Sequence, residues 1–234
     1  MLFDFLNAMR TGNMDSLKWA FAGLLLSLPV IILALCVHET AHGYVASKLG
    51  DPTAKNLGRL SLNPLKHLDP IGFLCMLAFG FGWAKPVPIN TRYFKKPRRD
   101  MAISAVAGPL SNVLLALVFA ALLKIFYVVV ANVMIASDTA LMMLGFLELL
   151  LTLGIRMNVT LAVFNLLPVP PLDGSRILYL FIPQRYLFKL IQYERYISLG
   201  LLLVLFLLFV GVLDVPLNFL SNLILRLISL IFGL

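Results

Sequence analysis

Long apolar runs divide the whole chain, and they constrain its fold more than any other feature. They include residues 21–35, 110–130, 141–153 and 199–212, and no polar stretch between them is long enough to fold alone. Of the 234 residues, 61% are apolar and 13% are charged, whereas soluble proteins are roughly half apolar and about a quarter charged. The pattern predicts an all-α integral membrane protein with a single domain over residues 1–234.

The lengths of the apolar runs predict how often the chain crosses the membrane, because a helix needs about 20 residues to cross the hydrocarbon layer. Residues 70–83 are too short, with 14 residues and three glycines, and are predicted to form a re-entrant loop. We expect a polytopic helix bundle of about five to six transmembrane segments. Its core covers about 17–177 and its C-terminal helices about 178–234. The apolar segments are 17–49, 101–130, 141–167, 196–213 and 217–234.

The basic residues are unevenly distributed, and their positions predict the orientation of the chain. The net charge is +8, and many basic residues lie in 92–99 (RYFKKPRR), immediately before an apolar run. Such a segment is typical of an anchor to anionic lipid headgroups, so we expect the lipid bilayer as a partner and no nucleic acid. Loop 131–140 has no Lys or Arg, whereas 83–100 and 168–195 have several. Because basic loops face the cytoplasm, the first helix is predicted to run inward.

Residues 38–42 (HETAH) place two histidines four positions apart, on one face of a predicted helix. Two imidazoles with an adjacent carboxylate suit catalytic zinc, which takes three protein ligands and leaves a fourth position for water. Glu39 is the expected base for that water. Ionisable groups inside a membrane helix are costly and rarely present without a functional site. This disfavours the alternative that both histidines are only packing residues. Cys36 is two positions away on the helix and is expected to point away, as a packing residue.

A third ligand must come from elsewhere, and residues 165–174 (NLLPVPPLDG) are the strongest candidate. Their three prolines prevent a continued helix, and broken backbone at membrane depth is tolerated only where it lines a cavity. Asp173 is expected to bind the cation held by the two histidines, to cap a helix that begins near Ser175, or to do both. His67, the remaining histidine, is expected to be an interfacial or capping residue, with an approach to the mouth of the site as the alternative.

These motifs resemble those of the site-2 proteases, a family of intramembrane zinc metalloproteases. Residues 38–42 match the HExxH motif of the family, and 165–174 match its N-x-x-P-x-P-x-L-D-G motif in the same order. Residues 50–70, 82–90 and 107–112 are similar to the short bacterial and archaeal branch. We therefore expect neither a PDZ nor a CBS domain.

The resemblance implies hydrolysis of peptide bonds in or near the transmembrane segments of other membrane proteins. Glu39 would be the general base, and the chain would lie in a bacterial or archaeal cell membrane with its active site toward the cytoplasm. The ligands of the one implied Zn²⁺ per chain would be His38, His42 and Asp173.

Two asparagines are candidates for a role beside the metal. The resemblance places Asn165 near the zinc as a donor to the substrate or to an oxyanion, and an interhelical hydrogen bond is the alternative. Asn112 is a second candidate for this role, but an amide that ties helices together is the favoured interpretation. Residues 58–63 alternate enough to form a short edge strand that holds an unwound substrate, and the bend at 82–88 is expected to position or gate it.

Two other functions compete with proteolysis at this stage. A metal-ion transporter also places histidines and carboxylates inside the membrane, but it should scatter them along a path through both faces. Here the groups concentrate at one depth near the cytoplasm. A catalytically silent membrane scaffold that binds zinc for stability is the other alternative.

Overall fold

The computed structural model describes residues 14–79, 84–133, 137–187 and 214–234, together with Met9 and six isolated residues between 189 and 200. Within these ranges the chain is helical and no strand forms, which confirms the predicted all-α class for the described residues. An isolated antiparallel bridge pairs Leu68 with Ala84. The α-helices include α1 Met14–Lys48, α2 Thr53–Asn56, α3 Pro70–Phe79, α4 Pro97–Val130, α5 Asp138–Asn165, α6 Asp173–Leu178 and α7 Asp214–Phe232.

Three of these helices, α1, α4 and α5, are long and apolar enough to cross a membrane. Their bounds agree within a few residues with the predicted segments 17–49, 101–130 and 141–167. Helix α4 exposes a row of apolar side chains, including those of Ile103, Leu110, Leu114 and Val118, as expected for a surface in contact with lipid. The predicted segment 196–213 lies outside the described residues except for two isolated positions, so the total of five to six segments remains a prediction.

Small residues let the three long helices approach closely. Helix α4 packs against both α1 and α5, and Ala34 of α1 and Ala116 and Ala120 of α4 are completely buried. Close backbone approach at small side chains is the usual basis of helix packing in membranes. Helix α7 joins the same packing through Ile228. The buried core residues of this cluster are Ala116, Ala120, Leu123, Leu151, Ile155, Val159, Val163 and Ile228.

The described residues of the connector between α1 and α4 (49–79 and 84–96) fold back over the C-terminal end of α1. They contain α2, α3 and two 3-10 turns, Pro64–Lys66 and Thr91–Tyr93. The contact with α1 is close at Gly43, where an added Cβ would lie 2.8 Å from Leu60 and 2.9 Å from Val87. A glycine at this position therefore allows the connector to cover the helix end.

The edge strand predicted over 58–63 is wrong, because this segment turns. Gly58 has a φ of +63°, and the Ser61 N–H bonds back to the Arg59 carbonyl. The Ser61 carbonyl accepts from Thr40 Oγ1 at 2.9 Å and from His67 Nε2 at 2.6 Å. Side chains thus use the carbonyl that a neighbouring strand would need.

Two other expectations for the connector have different outcomes. His67 is 1% exposed and holds the C-cap position of the 3-10 turn Pro64–Lys66, in agreement with the capping interpretation, and its interfacial position remains a prediction. Helix α3 covers only the first ten residues of the 70–83 segment, and 80–83 lie outside the described residues. The re-entrant loop remains a prediction.

Candidate metal centre

Three potential metal ligands converge where the C-terminal part of α1 meets the first residue of α6. His38 and His42 lie one turn apart on α1, both buried, and their Nε2 atoms are 3.0 Å apart. Asp173 Oδ2 lies 3.1 Å from the first of these nitrogens and 3.2 Å from the second. The three atoms form a nearly equilateral triangle. Among the described residues, this is the group of three whose donor atoms could hold a metal ion.

Hydrogen bonds on the far side of each ring fix which nitrogen faces the triangle. His42 Nδ1 is 2.7 Å from the Ser104 carbonyl oxygen, which can only accept, so Nδ1 carries the hydrogen. His38 Nδ1 is 2.6 Å from Asn112 Oδ1. With Nδ1 bonded on the far side, each ring turns its Nε2 toward the triangle, the arrangement of a metal-binding histidine with a supporting acceptor.

The orientation of the Asn112 amide follows from its other partners. Its Nδ2 donates to the Ala34 carbonyl at 3.2 Å and to Asn158 Oδ1 at 2.8 Å. Asn158 is completely buried and donates in turn to the Gly154 carbonyl at 2.8 Å. A relay of two amides thus links α5 through α4 to His38 on α1.

The geometry of the triangle fits a zinc ion. Bonds of about 2.0–2.1 Å at tetrahedral angles place neighbouring ligand atoms roughly 3.3 Å apart, and the three separations here are 3.0 to 3.2 Å. Asp173 Oδ2 is buried without a hydrogen-bond partner of its own. Lone pairs that converge without a hydrogen repel one another, and a cation between them removes the repulsion. Two imidazoles and one carboxylate also form a common catalytic zinc set.

Gly108 on α4 makes room for the two rings. A Cβ at this position would lie 2.5 Å from His42 Cε1 and 2.7 Å from His38 Cε1, closer than any real carbon contact. Any larger residue here would therefore push the imidazoles out of place. The glycine of the 107–112 segment thus shapes the site without contributing a polar group.

Asp173 is the first residue of α6, and the expectation that it caps a helix beginning near Ser175 is wrong. The N-cap position belongs to Leu172, and no side chain caps this end. Gly174 packs on the loop after α5, where a Cβ would collide with the Leu166 and Leu167 carbonyls.

Glu39 lies next to the triangle in sequence but outside it. Its Oε2 accepts a hydrogen bond from the Val87 backbone N–H at 2.8 Å, so the connector holds this carboxylate. Its side chain is half-buried. A carboxylate beside a metal site that binds no metal itself is the arrangement expected of a general base. Cys36 is buried and is absent from the described group of potential ligands, in agreement with its expected packing role.

The two asparagines occupy different positions. Asn112 is completely buried and donates both amide hydrogens to protein oxygens, which does not fit a donor to substrate. Its favoured interpretation, an amide that ties helices together, agrees with these contacts. Asn165 is half-buried at the last residue of α5 and donates to the Leu161 carbonyl at 3.0 Å.

Sequence reasoning missed three contributors to the site. Asn158 was detectable, because it is a polar residue in an apolar run, seven positions before Asn165 and so on nearly the same helix face. Ser104 contributes its backbone carbonyl to His42, and Val87 contributes its backbone N–H to Glu39. Backbone groups have no signature in the side-chain pattern, so these two contacts could not have been identified from it.

Comparison with known proteins gives a family and several relatives. Residues 26–210 match the sequence profile described as Peptidase family M50. Three relatives share the name "Putative zinc metalloprotease": YwhC of Bacillus subtilis, Rip2 of Mycolicibacterium smegmatis and MJ0611 of Methanocaldococcus jannaschii.

The alignments with these relatives cover most of the chain. YwhC is 44% identical over 71% of this chain and 73% of its own length. Rip2 is 33% identical over 61% of this chain and 52% of its own length, and MJ0611 is 32% identical over 66% and 69%. No solved structure gives a significant match.

Proposed function

Because this chain belongs to peptidase family M50, the site-2 proteases, it is an intramembrane zinc metalloprotease, and we propose that His38, His42 and Asp173 hold one catalytic zinc ion. Glu39 is the proposed general base. The observation that carries this assignment is the convergence of three ligand atoms within 3.2 Å of one another, with both Nδ1 atoms already bonded elsewhere.

The proposed mechanism assigns each of these residues one task. Zinc bound at the triangle would lower the pKa of a water and polarise the carbonyl of the peptide bond. Glu39 would accept a proton from that water and later deliver it to the leaving amine. Asn112 and the Ser104 carbonyl keep the two Nε2 lone pairs directed at the site, as supporting residues do in other metal sites.

Asn165 is the proposed donor to the carbonyl oxygen of the substrate. One of its amide hydrogens is used by the Leu161 carbonyl. The residue lies at the end of α5, directly before the loop that leads to Asp173. A donor at this position would stabilise the negative charge that develops on the oxygen.

The proposed substrate is a membrane protein with a transmembrane segment. A helical peptide bond is shielded by its own hydrogen bonds, so the substrate must unwind locally before cleavage. We propose a multi-pass arrangement with the site toward the cytoplasm of a bacterial or archaeal cell. The connector that follows α1 carries Lys55, Arg59 and Lys66, as expected for a cytoplasmic segment.

The direct test measures zinc content and cleavage in the same purified samples in detergent. Wild-type protein should contain one zinc per chain and cleave a transmembrane-helix substrate. Glu39→Gln should keep the zinc and lose at least about 10²-fold in rate, and Asp173→Ala should lose both. Asp138→Ala, an exposed carboxylate at the start of α5, is the matched control and should keep both. Full turnover by Glu39→Gln would refute the mechanism.

The same preparation separates the two alternatives. Proteoliposomes that enclose a zinc-sensitive dye should show no zinc uptake, because the three ligands lie at one depth and not along a path. A scaffold would contain zinc and leave the substrate intact in every variant. Uptake that depends on Asp173, without cleavage, would favour the transporter instead.

A further inference from the structure

One segment of the connector is fixed at both ends and touches the proposed general base in its middle. This segment, residues 84–90 (AKPVPIN), is called the strap below. At one end the Lys85 N–H donates to the His67 carbonyl at 2.7 Å. The Arg59 guanidinium donates to the Lys85 and Pro86 carbonyls at 2.7 and 3.2 Å. At the other end the Asn90 N–H donates to Asp51 Oδ2 at 2.7 Å.

The anchor at the second end is a buried carboxylate with several donors. Asp51 is completely buried, and its Oδ1 accepts from both the N–H and the hydroxyl of Thr53. Its Oδ2 is bonded to the strap. A buried carboxylate is costly unless donors satisfy it, and these three donors make Asp51 a fixed point at the end of α1.

The sequence of the strap selects which backbone N–H reaches Glu39. Pro86 and Pro88 have no N–H, so Val87 carries the single backbone donor of this tripeptide. That N–H lies 2.8 Å from Glu39 Oε2. The Val87 side chain is 7% exposed and packs on Gly43 of α1, where an added Cβ would lie 2.9 Å from it. Packing thus fixes the register of the strap along the helix.

We propose that the strap positions the general base, with the Val87 backbone N–H holding Glu39 Oε2 and so fixing the orientation of the carboxylate beside the three ligands. Val87 and Asp51 are positioning residues, because they act through Glu39 and not on the substrate. The proposal rests on the proposed role of Glu39. A glutamate has three rotatable side-chain bonds, and a charge-assisted hydrogen bond at one oxygen restricts them. Displacing a reacting group by about 1 Å can cost 10²-fold in rate.

The test removes the hydrogen bond while the valine contacts remain. An amide-to-ester exchange at Val87 replaces the N–H by an oxygen and keeps the side chain that packs on Gly43. We expect kcat to fall about 10²-fold, with KM and zinc content unchanged. Val87→Ala keeps the N–H but removes the side-chain packing on Gly43 that fixes the register of the strap, so its kcat should lie between those of wild type and the ester. Val87→Pro removes the same donor by ordinary mutagenesis and should reproduce the ester if it folds.

A second variant tests the anchor. Asp51→Asn replaces one carboxylate oxygen by an NH2 group. The single oxygen that remains can accept from Thr53 or from Asn90, but not from both. The kcat of this variant should fall at least about tenfold with KM unchanged. Asp69→Asn is the control, because Asp69 belongs to the same connector but accepts from the first turn of α3, and its kcat should equal that of wild type.

The outcomes separate this proposal from the proposed function. If Glu39→Gln is inactive and the Val87 ester has normal kcat, Glu39 remains the base and the positioning role of the strap is overturned. An ester with higher kcat than wild type also overturns it, because the strap would then restrain the enzyme. A rise in KM alone would make the strap a substrate contact and overturn the proposal as well. If Glu39→Gln keeps full activity, both proposals fail together.

Discussion

Gly108→Ala adds one methyl group at the point where α4 faces both candidate ligand rings. The new Cβ would lie 2.5 Å from His42 Cε1 and 2.7 Å from His38 Cε1. An unstrained carbon contact needs about 3.5 Å, so the rings or the helix must move by about 1 Å. Metal sites tolerate about 0.2 Å in their bond lengths. The substitution should therefore disturb the site far more than it disturbs the helix.

The magnitude of the effect can be placed between two references. Changes to groups that support metal ligands usually cost 10- to 100-fold in affinity, and moving both rings should reach about 100-fold or more. This factor corresponds to roughly 2.7 kcal/mol. The effect of the substitution on helix stability has the opposite sign, because replacing Gly by Ala inside a helix usually stabilises the protein by about 0.5–1 kcal/mol. Loss of zinc affinity would thus report the steric contact and not the helix.

The assay is competition for zinc against a chelator at fixed pH, with thermal unfolding measured on the same samples. Gly23→Ala is the control, because a Cβ at this position of α1 would meet no atom within 4 Å. The control should keep the zinc affinity of wild type. Gly108→Ala with wild-type zinc affinity would refute the placement of α4 against the two histidines.

Three further predictions concern the supports of the site. Asn158→Ala removes the oxygen that accepts from Asn112 Nδ2. It should lower zinc affinity about tenfold and the unfolding free energy by about 1–3 kcal/mol. Unchanged zinc affinity in chelator competition and unchanged stability in denaturation would contradict the relay. Arg98→Ala removes the guanidinium that binds three carbonyls after α6, so it should weaken zinc binding more than Arg99→Ala; equal effects would contradict a role for this contact in holding α6. Chelation should lower the melting temperature of wild type but not of Asp173→Ala, and an equal drop in both proteins would argue that Asp173 does not bind the ion.

Much of the fold follows from local pattern. The long helices α1, α4 and α5 follow from run length, because the membrane imposes a minimum number of apolar residues. The proximity of His38 and His42 follows from helix periodicity. The expected role of Asp173 as a metal ligand follows from a chemical argument, because a carboxylate in proline-broken backbone at membrane depth needs a cation.

The rest depends on contacts between distant segments. The partner of Glu39 is a backbone N–H 48 positions away, which no side-chain pattern predicts. The strand over 58–63 was wrong because alternation is also compatible with a turning segment whose Ser61 carbonyl bonds to side chains. The capping role predicted for Asp173 was wrong because Leu172 holds the N-cap position and Asp173 is already the first residue of α6. Its carboxylate is turned toward the histidines.

X-ray absorption at the zinc edge of the purified protein tests the central assignment most directly. The account predicts nitrogen and oxygen ligands alone at about 2.0–2.1 Å, with the outer-shell signal of two imidazoles. In Asp173→Ala the zinc should be lost, or its ligand shell should lose the protein carboxylate. A sulfur ligand at about 2.3 Å, or a spectrum identical in wild type and Asp173→Ala, would contradict the assignment of His38, His42 and Asp173 as the zinc ligands.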